Sequence, residues 1–163
     1  MMADNLAYAA AREHRNHGRE GKGKVLAFAH NSHLKLGKAE WQLGSFALAW
    51  WPAGAHLSQV FGRKYAVIGT AVGVSAANGI GQPEEGTLEA QLLSVPGPVR
   101  LIATERGRML AESEMQALAV RSASALNSTY FPLTAQSLTD FDALAILDST
   151  EYSRGGPELP GQG

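Results

Sequence analysis

Val25-Leu26-Ala27-Phe28-Ala29, followed at once by His30-Asn31-Ser32-His33, is the stretch on which the reading of this chain turns. The first five residues are an unbroken apolar run. They do not alternate with polar residues, so the sequence predicts a strand covered on both faces, as in a parallel-type sheet. From His30 to Lys38 the chain turns polar and includes Gly37, so the strand ends at Ala29. In open α/β sheets ligands bind beyond the carboxyl ends of strands, and His30 and His33 follow such an end. Imidazole is the side chain whose ordinary pKa lets it give or take a proton near neutrality. Two imidazoles three residues apart can share one water or one substrate oxygen. The amide of Asn31 between them can donate to an oxyanion or a hydroxyl.

Three readings of the pair stay open. On spacing alone, a polar loop that satisfies backbone groups is the more frequent outcome. His14 and His17 repeat the spacing on a charged helix end, where a solvated surface is expected. A metal site is the minority reading, because a first shell needs a third ligand, usually a carboxylate. Glu40 is the one carboxylate at short spacing after His33, with His56 and Asp148 as distant candidates. No cofactor is called for.

Outward from this stretch, helices and strands alternate, which argues for an α/β layer architecture with a mostly parallel sheet and flanking helices. Upstream, residues 2 to 17 read as a helix with Leu6, Ala9 and Ala10 at helical spacing, basic residues in the last turn and Gly18 as cap. Gly18 to Lys24 reads as a loop. Downstream, residues 39 to 53 carry Trp41, Phe46, Trp50 and Trp51 and form either an apolar lid or a short helix. Ala55 to Phe61 reads as a helix stopped by Gly62, and Tyr65 to Thr70 as a second buried strand. Residues 73 to 86, rich in Gly, Asn and Pro, form a loop. Thr87 to Val95 reads as a strand ended by Pro96-Gly97-Pro98, and Val99 to Thr104 as another. Glu112 to Leu126 reads as a helix, and Ala143 to Leu147 as a last buried strand. Residues 1 to 150 form one domain, and the Gly/Pro-rich tail from 151 to 163 is expected to be disordered.

Composition narrows the function. With 45% hydrophobic residues and 18% charged, the chain can bury a core. Fourteen basic and fifteen acidic residues give a net charge of -1, which offers no electrostatic footprint for nucleic acid or an anionic membrane. The absence of cysteine excludes disulfides, thiolate nucleophiles and cysteine zinc sites. With no signal peptide and no apolar run of spanning length, a cytoplasmic location is expected. The Gly-rich stretch 69 to 81 lacks the Gly-Lys-Ser/Thr ending of a phosphate loop, and no Gly-x-Ser-x-Gly nucleophile elbow occurs.

The segment Lys24 to His33 is similar to the K-V-hydrophobic-A-H-N-x-H segment of the erythromycin esterase family. Met2-Ala3-Asp4-Asn5-Leu6 resembles that family's R-D-x-x-M-A-x-N helix start. Gly54-Ala55-His56-Leu57, the stretch Phe61 to Gly69, and Phe141-Asp142-Ala143-Leu144 resemble later family segments in the same order. The resemblance implies an erythromycin-esterase-like hydrolase, represented by its C-terminal portion. Its substrate would be a small-molecule carboxylic ester or a macrolide lactone, with an antibiotic-response role. His30 and His33 would line the cleft and hold the substrate carbonyl or the attacking water. The family's general base belongs to an N-terminal half with no counterpart here, so a truncated chain, or one that pairs with a separate N-terminal half, is expected. A positioned base contributes about 10²–10⁴-fold in rate, so weak activity alone is expected. The other expectations are a non-catalytic small-molecule-binding domain and a metal-dependent hydrolase.

Overall fold

A computed structural model describes residues 1–16, 24–43, 45–108 and 110–151. The elements in chain order are α1 (Met2–Asn16), α2 (Asn31–Leu34), β1 (Ala39–Leu43), β2 (Phe46–Trp50), α3 (Ala53–Phe61), β3 (Ile68–Val74), α4 (Leu88–Leu93), β4 (Val99–Ala103), α5 (Glu112–Gln116), α6 (Ser137–Asp140) and β5 (Ala143–Ser149). The expected cap at Gly18, the loop that begins there and all but the first residue of the tail lie outside the described residues. No helix among the described residues is long and apolar enough to cross a membrane.

The fold is α/β, with two small sheets among the described residues. In the larger, of order β3-β5-β4, the last strand in sequence occupies the centre. β3 runs parallel to β5, with Ile68 opposite Ala143, and β4 runs antiparallel to it, with Val99 opposite Leu147. The sheet is therefore mixed, which corrects the expectation of a mostly parallel one. The turn at Pro96-Gly97-Pro98 lies between α4 and β4.

Leu144 and Ile146 of β5 are fully buried and meet Leu88 and Leu92 of α4, Leu133, Leu138 and Phe141 in one core. α4 stands where the sequence reading placed a strand. Leu88 and Leu92 are one helical turn apart and face the core together, and Leu-Glu-Ala-Gln-Leu-Leu is built of strong helix formers. Thr87 caps it, its hydroxyl accepting from Ala90 N–H at 3.3 Å. Ala39–Leu43 and Phe46–Trp50 pair as antiparallel strands, not as a helix. Gly44-Ser45 between two runs rich in aromatic and apolar residues is the sequence signal for this strand pair. The helix expected over Glu112 to Leu126 stops at Gln116. Beyond it Ala119 N–H bonds to Gly86 carbonyl and Arg121 turns inward, so the backbone is spent on tertiary contacts.

The most consequential correction concerns Val25 to Ala29. No strand forms there, and the run is not buried: Leu26 is 80% and Phe28 89% exposed.

Candidate functional site

His30 is the N-cap of α2, not the residue after a strand, and its imidazole is held on both nitrogens. Nε2 lies 3.0 Å from the carbonyl oxygen of Thr129. A carbonyl only accepts, so Nε2 carries the proton. In the neutral ring Nδ1 is then bare, and it accepts from Ser32 N–H at 3.2 Å and from the Ser32 hydroxyl at 2.8 Å. The Phe131 ring packs edge to face on the imidazole at 5.1 Å, and Trp41 packs on Phe131 at 6.1 Å. Burial holds the His30 pKa below the ordinary imidazole value; the Thr129 carbonyl opposes this and the His33 ring adds to it.

His33, one turn along α2, is exposed, with its ring 6.3 Å from that of His30 and edge to face with it. The structure thus brings the two histidines together. Asn31 is placed beside them on the edge of β3. Its Nδ2 donates to the Thr70 carbonyl at 2.7 Å and its Oδ1 accepts from Thr70 N–H at 3.0 Å. The side-chain amide stands in for a neighbouring strand at that point, and one Nδ2 hydrogen remains for a ligand.

Three anchors fix α2 beneath this pair. Tyr65 donates its hydroxyl to the Leu34 carbonyl at 2.8 Å, and burial, then Asp142, pushes its pKa up to about 12. Gly54 lets α3 approach the same carbonyl: a Cβ there would stand 1.8 Å from Leu34 O. Past the helix, Asp140 accepts from Gly37 N–H at 2.8 Å and pairs with Lys35 at 2.7 Å.

The other sequence candidates lie elsewhere. His56 lines a cleft between α1 and α3 with Met1, Asp4 and Val60. Asp148 pairs with Arg100 across β4 and β5. Among the described residues no group of three His, Asp or Glu side chains is arranged to hold a metal ion. Thr129 and Phe131 are not legible in the sequence, because they reach His30 from about a hundred residues away in the chain. The signal that could have found them is the irregular stretch from Ala117 to Gln136, since loops of such length in small domains are usually functional.

Comparison with known proteins agrees with the family seen in the sequence. The family model described as erythromycin esterase matches residues 1–150. A search of curated proteins finds no match. Among solved structures, a Bacillus cereus protein is similar at 16% identity and a TM-score of 0.46, over 75% of this chain and 32% of that one. The chain therefore spans about a third of the length of that structure.

Proposed function

The chain belongs to the erythromycin esterase family, and from that premise we propose that it is a hydrolase of carboxylic esters, macrolide lactones among them, with a role in antibiotic response. The observation that carries this reading is the pairing of a pinned, neutral His30 with an exposed His33 on one short helix. Ester hydrolysis adds water to a carbonyl and develops charge on its oxygen. His33 is the side chain free to hold that oxygen or the attacking water, and the spare amide hydrogen of Asn31 adds a donor beside it. His30 backs His33 and sets the local field as a neutral ring. The general base comes from a further segment, in the same cytoplasm, that also packs on the sheet face left open here.

The test is mass analysis of a macrolide and of simple aryl esters after incubation with the purified chain. A ring-opened product heavier by one water supports the reading. Cleavage of neither substrate class at high enzyme concentration rules it out.

A second reading, a non-catalytic small-molecule-binding domain, is favoured by one observation: both His30 ring nitrogens are already engaged within the chain. A macrolide that shifts the His33 ring resonances and is recovered intact would decide for binding alone.

A further inference from the structure

The long irregular segment that reaches His30 is itself held by a buried carboxylate. Glu89, on the first turn of α4, is 1% exposed. Its Oε1 accepts from Leu133 N–H at 2.8 Å. Leu133 is the core residue that ends the strap Thr129-Tyr130-Phe131-Pro132-Leu133. The other end of that strap presents the Thr129 carbonyl and the Phe131 ring to His30. Between them, the Tyr130 ring lies under the guanidinium of Arg121 at 5.8 Å. Arg121 is buried and donates to the carbonyls of Val72, at 2.7 Å, and of Gly73 and Gly81. The strap is thus tied to β3, the strand whose Thr70 holds Asn31.

A carboxylate at this position is costly. An apolar side chain of similar size would avoid the desolvation penalty that a buried acid carries. Oε2 of Glu89 and the hydroxyl of Tyr130 are both buried without a hydrogen-bond partner among the described residues, which adds to that cost. What the carboxyl contributes in return is an acceptor for a backbone N–H that has left regular secondary structure.

We propose that Glu89 is a positioning residue for His30: it fixes the strap at Leu133, and the strap in turn holds the imidazole in its Nε2-protonated tautomer through the Thr129 carbonyl. This rests on His30 being a site residue only for its catalytic meaning, since the geometry itself is independent of ester turnover.

The experiment is nitrogen NMR of the full chain with labelled histidine, for wild type, Glu89→Gln, Glu89→Leu and Glu89→Asp. Wild type shows a pyrrole-type Nε2 and a pyridine-type Nδ1 at His30. Glu89→Gln keeps an acceptor for Leu133 N–H, so it retains the tautomer. Glu89→Leu, or Glu89→Asp where the leucine variant does not fold, loses the acceptor or withdraws it. His30 then averages between tautomers, because the Thr129 carbonyl no longer fixes the proton on Nε2. A merely structural role would lower the melting temperature and leave the His30 signature of the folded protein unchanged. That result, or a glutamine variant whose His30 averages, overturns the proposal. Absence of ester turnover by wild type with the His30 signature intact would sink the functional reading and leave this one standing.

Discussion

The two faces of the β3-β5-β4 sheet are equally apolar in sequence and differ in what covers them. On one face Leu144, Ile146 and Ile102 lie under α4, Leu133 and Leu138. On the other, Ile68 is 54%, Val99 62% and Leu101 65% exposed. A sequence reports that a strand is fit to be buried on both faces; whether the second cover exists depends on residues elsewhere. The same division runs through the site. His30 is held by Ser32, Thr129 and Phe131, while Val25 to Ala29, just before it, form no strand and leave Leu26 and Phe28 largely exposed.

The contrast predicts graded effects. Leu144→Ala and Ile146→Ala remove side chains from a filled interior and each cost about 2–5 kcal/mol of stability. Leu101→Ser and Val99→Thr on the open face change it by about 0.5 kcal/mol or less and raise solubility. Urea unfolding of the four variants checks this, and equal costs on the two faces would show that the open face is covered in solution. Next comes Gly54→Ala, which forces a methyl onto the Leu34 carbonyl and costs about 1–3 kcal/mol. Histidine NMR of that variant shows the His30 and His33 environments shifting together, because α2 must move.

Tyr65→Phe deletes one hydrogen bond to that same carbonyl and costs about 1 kcal/mol by thermal unfolding. The smallest effects are pH slopes, and their signs oppose. The His30 pKa is lowered by folding, so the unfolded chain binds the proton first. That contribution is complete above pH about 6.5 and is lost as pH falls below it. The Glu89 pKa is raised by burial. Its contribution is therefore complete below pH about 4.5 and is lost as pH rises through its folded value. Urea midpoints against pH should lose the acid-side decline in His30→Ala and the rise-side decline in Glu89→Gln.

Much of the fold was legible where a local pattern and its tertiary setting agree. α1, α3 with its stop at Gly62, β4 and β5 follow from periodicity and caps, and the His30–His33 pairing follows from one short polar stretch. Thr87 to Val95 reads as a strand, but Leu88 and Leu92 stand one helical turn apart with helix formers between them, and the helix wins. The antiparallel β4 was invisible because no residue records the direction of a strand. Val25 to Ala29 is apolar enough for a buried strand, but no residue in it records whether a sheet is there to pair with. The strap over His30 and the Glu89 beneath it lie too far along the chain for any spacing rule to join them.

The account stands most directly on His33. Initial rates on an aryl ester, measured for wild type and His33→Ala with melting curves recorded alongside, test it in one comparison. The account predicts slow turnover by wild type, short of a base-assisted rate by about 10²–10⁴-fold. His33→Ala brings it to the uncatalysed background with the melting temperature unchanged. A His33→Ala protein that hydrolyses the ester as fast as wild type contradicts the assignment of the site.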